Sequence, residues 1–241
     1  MQPGQAIRRP LEERIIQPHN YFDREYFTLH EGKRRYLAYL IDLIRRSGVS
    51  GGRVLDVGSG VGFFLSALSG SGFEPYGIEK SADAAARTSE GCGAPVVVRD
   101  AEAPLPFPDA YFSAVTLFDI IEHFHRVPEV LDECRRVLEP KGKLFVITLN
   151  SGSLARPILG KNWSFFLDPT HVSLFSKSSL RRALAAARFE VQRLTTMSNF
   201  YLIGEGNPRL KPLRRIGRVI TAPWLGDSLL AVAERSATAE K

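Results

Sequence analysis

The stretch that most constrains this chain is Arg53-Val54-Leu55-Asp56-Val57-Gly58-Ser59-Gly60-Val61-Gly62-Phe63-Phe64. An apolar run carries an acid near its end, glycines follow at alternate positions, and apolar residues resume at helical spacing through Phe64, Leu65 and Leu68. That is the order of a buried parallel strand, a tight turn and a helix start. Glycines there allow positive φ and close approach of a ligand to the backbone. Free N–H groups at the helix start favour a polar or anionic group. The spacing separates the ligand classes. A Walker loop ends in Gly-Lys-Ser/Thr, whereas Gly62 is followed by Phe63. In a dinucleotide fingerprint two residues separate the second and third glycines, and here only Val61 does. Asp56, two residues before the first glycine, would repel a pyrophosphate and suits a cationic amino-acid ligand.

The pattern repeats downstream with an acid at each strand end. Glu74 to Lys80 reads as a second strand, and its Glu79 stands 19 residues beyond Gly60, the spacing at which an acid meets ribose hydroxyls in nucleotide-binding α/β folds. Ser81 caps an alanine-rich helix start. Pro95 to Ala101 reads as a third, buried strand ending in Asp100. The proline-rich Pro104–Asp109 loop leads to a fourth strand, Tyr111–Phe118, followed by Asp119-Ile120-Ile121-Glu122-His123. Val130, Leu131, Cys134, Val137 and Leu138 form a helical stripe, broken by Pro140-Lys141-Gly142, and Leu144–Leu149 reads as the fifth strand. Five strand–helix alternations predict a doubly wound α/β fold with a parallel sheet.

VLDVGSGVG, with these acids in register and the D-x-x-E-H segment, resembles the class I S-adenosylmethionine-dependent methyltransferases, in a small-molecule or glycan O-methyltransferase-like subgroup. The resemblance covers roughly residues 20–200 and is most specific over 53–149. It implies a Rossmann-like seven-stranded sheet, mostly parallel, with helices on both faces and Ser228–Glu234 inserted antiparallel beside strand five. It also implies S-adenosylmethionine as cofactor. Asp56, Gly58, Ser59, Gly60, Gly62 and Phe63 would form the glycine-rich wall, Glu79 and Lys80 the ribose side, Asp100 and Ala101 the adenine side, and Phe118 and Asp119 the end of strand four.

The acceptor side is less patterned. Residues 150–177 carry little periodicity and include Trp163, Phe165, Phe166 and Asp168-Pro169-Thr170-His171, which reads as a substrate-side lid. DPTHVSLFSKSSLRRAL resembles a subgroup of small-molecule methyltransferases, which often has glycine where this chain has Arg188 before strand six. Ser176 or Ser178 is expected to cap the intervening helix. His123, just past strand four, and His171, in the lid, are the candidate proton acceptors. Each also has a structural alternative, ordering a turn or packing against the cofactor. Asp119, Glu122 and His123 have metal-ligand chemistry, and some quinone O-methyltransferases that the segment resembles use a divalent ion. No metal is expected here, because the adjacent Glu122 and His123 should diverge.

Residues 1–30, with Pro3, Pro10 and Pro18, read as an arm whose Phe22, Tyr26 and Phe27 staple it onto the core or cover the ligand cleft, and 31–241 as one domain opened by an amphipathic helix over 32–47. The segment 207–226 is basic and amphipathic. Leu213, Ile216, Val219 and Ile220 share a helical face, which covers the sheet or meets a membrane surface or an anionic substrate through 207–220. The net charge of +6 allows acidic partners, and with it a nucleic-acid methyltransferase as the rival enzyme. The Asn/Asp-Pro-Pro-aromatic and Pro-Cys motifs of base-methylating enzymes are missing, so the expected partner is a small-molecule acceptor and not nucleic acid. A binding module that keeps the cofactor fold without catalysis is the rival outside enzymes. Cys92 and Cys134 lack metal-ligand spacing and imply no disulfide framework. With no long apolar run, the expected location is cytoplasmic.

Overall fold

A computed structural model describes residues 31–154, 156–157, 160, 166, 168–199, 219–222 and 226–236. The arm aromatics Phe22, Tyr26 and Phe27, the lid residues Trp163 and Phe165, and the basic segment 207–218 lie outside the described residues. The chain runs α1 (Glu31–Arg46), β1 (Gly52–Val57), α2 (Phe63–Ser69), β2 (Phe73–Glu79), α3 (Ala82–Cys92), β3 (Val96–Val98) and β4 (Phe112–Phe118). It continues through a 3-10 turn (Ile121–His123), α4 (Val127–Val137), β5 (Leu138–Leu149), α5 (Lys177–Ala186), β6 (Phe189–Asn199), β7 (Val219–Ala222) and β8 (Ser228–Arg235).

The strands form one sheet in the order β3-β2-β1-β4-β5-β8-β6-β7. Neighbours from β3 through β5 are parallel, and β8 enters antiparallel between β5 and β6. The expected mixed sheet is therefore present, with β7 added as a short outer strand against β6. Val219 and Ile220, expected on a helical face, belong to that strand. The chain winds outward from β1 through β2 to β3, then returns to place β4 on the other side of β1. That reversal opens a crevice at the carboxyl ends of β1 and β4, where open α/β sheets bind ligands.

Two apolar layers cover the sheet. On one face Val130, Leu131, Cys134 and Val137 of α4 and Leu180 and Leu184 of α5 pack against Leu55, Val115, Leu117 and Val146. On the other, Leu37, Leu40, Ile41 and Ile44 of α1 and Phe64, Leu65 and Leu68 of α2 pack against Val54, Ala114, Phe145 and Ile147. Consecutive strand residues are buried because both faces are covered, so the central strands read as apolar runs. Ser176 caps α5 in a capping box with Ser179.

Two expectations about strands change. Among the described residues, 96–98 form an edge strand paired only with β2, and Val98 is 53% exposed. The apolar run there is half-buried because no described strand lies beyond it in the sheet. Asp100 and Ala101 follow in the next turn. β5 begins at Leu138, six residues before the periodic run, and continues through Pro140-Lys141-Gly142 with a register shift opposite Phe112 and Ala114.

Candidate active site

The crevice begins at the glycine-rich turn. Gly58 and Ser59 both donate from their backbone N–H to the Ile78 carbonyl of β2, at 2.8 and 3.0 Å. Gly62, at φ 75°, precedes α2, and a Cβ there would stand 2.2 Å from Thr88 Cγ2. Both the left-handed backbone and the lack of space require glycine. The Thr88 hydroxyl in turn donates to the Gly60 carbonyl at 3.1 Å, tying the turn to α3.

The acids are placed by β1, β2 and β4. Asp56 is 5% exposed and accepts a 2.7 Å hydrogen bond from the Thr116 hydroxyl of β4. Burial pushes its carboxyl up to about 7, with Thr116 pulling the other way and the charge of Glu79 adding to the rise. Glu79 accepts from the Gly60 N–H at 2.9 Å and the Ser81 N–H at 2.8 Å, so it braces the turn as well as ending β2. Ionised carboxylates offer about four acceptor directions, leaving capacity for a diol. Asp100 pairs with Lys80 at 2.7 Å and accepts from the Glu102 N–H at 3.0 Å. Its carboxyl is held low by Lys80 first and then by that N–H. The pair is open to solvent, so Lys80 can yield to a ligand at little cost. Ala101 is buried beside it, and Phe118 meets Phe64 edge-on at 5.1 Å.

Asp119, directly after β4, has φ 52°, an uncommon conformation for a residue with a Cβ, and its N–H donates to Ile147 at 2.9 Å. Tyr36 of α1 comes close to it: burial first, then the Asp119 charge, raises the Tyr36 hydroxyl well above its ordinary value. At the helix start Lys33 of α1 sits 4.4 Å over the Phe63 ring. α1 therefore forms one side of the crevice.

On the acceptor side, residues 168–175 are fastened to the 3-10 turn. The Glu122 carbonyl accepts from the Val172 and Ser173 N–H groups, both at 2.9 Å, and the Ser173 hydroxyl donates to Phe124 O at 2.9 Å. The ring centroids of His123 and His171 come within 4.7 Å. His123 Nδ1 lies 2.8 Å from the Thr170 hydroxyl, and that hydroxyl lies 2.6 Å from Asp168 Oδ1. Burial and the neighbouring His171 lower the His123 pKa, with Asp168 and Thr170 opposing, so the ring is neutral at neutral pH. Glu122, 2% exposed, accepts from the Thr148 hydroxyl at 2.8 Å. Burial and then the Asp119 charge push it up to about 8.

One atom each from Glu122, His123 and His171 fall within 4.8 Å of one another, compact enough to receive a cation. The expectation that Glu122 and His123 diverge is thus overturned: the tight 3-10 turn brings them together. Thr116, Thr148, Asp168 and Thr170 were not singled out for these roles in the sequence. They become site residues through contacts between distant segments, and only Asp168-Pro169-Thr170-His171 carried a motif signal.

A profile described as "Methyltransferase domain" matches residues 29–194. The chain belongs to the methyltransferase domain family. Its cofactor is S-adenosylmethionine, and the crevice fits that group: among the described residues no cation pairs with the buried Asp56 carboxyl, which complements a positively charged ligand. Among curated relatives, the biotin biosynthesis bifunctional protein BioHC of Cellvibrio japonicus is 33% identical over 56% of this chain and 27% of its own length. A ubiquinone biosynthesis O-methyltransferase of Chromobacterium violaceum is 32% identical, over 57% of this chain and 61% of that protein. The chain thus spans less than two thirds of these relatives. A ubiquinone biosynthesis O-methyltransferase of Paracidovorax citrulli is 30% identical over 72% of this chain and 77% of its own. Among solved structures, a SAM-dependent methyltransferase from Archaeoglobus fulgidus superposes with TM-score 0.59 at 21% identity, covering 82% of this chain and 94% of that one. The [4+2]-cyclase SpnF superposes equally well, with TM-score 0.62 at 19% identity, covering 86% and 85% of the two chains. The fold alone therefore does not dictate methyl transfer. Among the described residues no helix is long and apolar enough to cross a membrane.

Proposed function

We propose that this methyltransferase moves the methyl group of S-adenosylmethionine to a hydroxyl oxygen of a small-molecule acceptor, a quinone-like phenol in preference to a sugar or lipid-linked alcohol. The observation that carries the oxygen choice is the His123 ring, neutral at neutral pH and tied into a polar cluster with Thr170, Asp168 and His171. The similarity to ubiquinone biosynthesis O-methyltransferases supports the phenol. Bound in the crevice, S-adenosylmethionine supplies a methyl group already activated on a sulfonium.

The chain's own residues then have three tasks. Asp56 and the Gly58–Gly62 turn, with Ser59 and Phe63, hold the amino-acid end. Glu79 and Lys80 hold the ribose side, Asp100 and Ala101 the adenine, and Phe118 and Asp119 close the wall at β4. Their alignment removes translational freedom, worth on the order of 10⁵ M in effective concentration in favourable cases. His123 accepts the acceptor hydroxyl's proton as the oxygen–carbon bond forms, and His171 lies beside it as a substrate hydrogen-bond partner. A base of this kind contributes about 10²- to 10⁴-fold.

The test is a panel of phenols, catechols, sugars and polyprenyl alcohols, scored by S-adenosylhomocysteine release and by a product mass roughly 14 Da higher, the net gain of one CH₂. A phenolic product is expected, and His123→Ala should lower its formation by about 10²-fold or more. Turnover confined to amines or to nucleic acid would refute the reading. Failure to bind S-adenosylmethionine at millimolar concentration would refute it at the cofactor.

A further inference from the structure

We propose that Thr170, aimed by Asp168, is a positioning residue that locks His123 in the tautomer carrying its proton on Nδ1. The lone pair is then on Nε2. This rests on His123 being the proton acceptor, as proposed above.

The argument is a count of hydrogens. The Thr170 hydroxyl has one proton and two neighbours, Asp168 Oδ1 at 2.6 Å and His123 Nδ1 at 2.8 Å. If the proton faced His123, two oxygens would meet at 2.6 Å with no hydrogen between them unless Asp168 were protonated. Asp168 is not: burial pushes its carboxyl up, yet the carboxyl lies below the ordinary carboxylate value, held there by the Thr170 N–H. The Thr170 N–H also donates to the same Oδ1, at 2.8 Å. The hydroxyl therefore donates to Asp168, and its oxygen must accept from His123 Nδ1–H. In neutral imidazole one nitrogen donates and the other accepts, so Nε2 is left as the base.

The relay is built on a fixed frame. Glu122 O, adjacent to His123, holds the N–H groups of Val172 and Ser173, and the Ser173 hydroxyl reaches Phe124. Further along, Ser151 donates to Phe175 at 2.8 Å, joining the same segment to the end of β5. Thr170 therefore cannot drift from the ring without breaking contacts on both sides of it. A wrong tautomer would present N–H, not a lone pair, to the acceptor, which is how a positioning hydrogen bond gains leverage over rate.

The experiment labels histidine with ¹⁵N in the full chain, assigns His123 by its loss in His123→Ala, and reads the tautomer from two-bond ¹H–¹⁵N correlations. Wild type should show Nδ1–H. Thr170→Val should lose that single tautomer and lower kcat by about tenfold or more, with KM for S-adenosylmethionine unchanged. Thr170→Ser should restore both. Wild-type His123 in the Nε2–H form would overturn the proposal, as would a Thr170→Val protein keeping both the wild-type spectrum and kcat. So would a wild-type spectrum that changes on dialysis against a chelator, because a cation would then hold the ring. If the tautomer lock is found but His123→Ala keeps full turnover, the proton-acceptor reading fails while the lock stands, so the two failures are separable.

Discussion

Asp56 couples cofactor affinity to pH in a way the geometry makes quantitative. Its carboxyl is 5% exposed, has Thr116 as its hydrogen-bond donor, and is pushed up to about 7, chiefly by burial. A cationic ligand needs it ionised. From a midpoint of about 7, each unit of acidification then costs about 1.4 kcal/mol, or tenfold in Kd. The dissociation constant should rise ~2-fold at pH 7, ~10-fold at pH 6 and ~100-fold at pH 5 over its alkaline plateau. Calorimetric titration with S-adenosylmethionine between pH 5 and 7.5 measures this while the ligand's ammonium stays mostly protonated, since an α-amino group titrates at about 7.7–8.0. Asp56→Asn keeps an acceptor for Thr116 and removes the charge. It should bind about 10- to 100-fold more weakly at pH 7.5, the loss of a charged hydrogen bond, and show no steep slope. Its fold should not suffer. The raised folded-state pKa means that wild type holds its full stability below the ordinary value of 3.8 and loses it as pH rises through about 7. The asparagine variant should therefore melt no lower than wild type at pH 7. A wild-type Kd constant within twofold from pH 5 to 7, or the same slope in the variant, would refute the reasoning.

Glu122 gives a stability counterpart. Its folded pKa is raised from 4.5 to about 8 by burial and Asp119, so the stability it contributes is present below about 4.5 and lost as pH rises through about 8. Glu122→Gln should melt with wild type near pH 4.5 and roughly 5 °C or more above it at pH 8 by calorimetry. Equal melting temperatures at both would remove the buried charge from the account. Arg188 has φ 59° at the end of α5. Arg188→Gly should relieve about 1 kcal/mol of left-handed strain and raise Tm by roughly 2–4 °C with turnover unchanged. A lower Tm would show that the arginine side chain contributes more than the strain costs.

The strand–turn–helix order, the acids at Asp56, Glu79 and Asp100, the α5 cap and the insertion of β8 were legible in the sequence. Apolar period, turn glycines and capping residues act over a few positions, so a local reading reaches them, and family resemblance supplied β8. Tertiary structure decided what those residues touch. The return of the chain to place β4 beside β1 sets Thr116 on Asp56, and the packing of the turn on β2 sets the Gly60 N–H on Glu79. The fastening of 168–175 to Glu122 makes one cluster of His123, Thr170 and His171. Gly226 shows the same limit for a single residue. A Cβ there would lie 2.4 Å from the Met197 backbone. Nothing near it in sequence announces that requirement, because it arises where the approach to β8 crosses β6. Local chemistry could be read from the order of residues, whereas pairings across dozens of positions depended on which strands became neighbours and how closely their backbones packed.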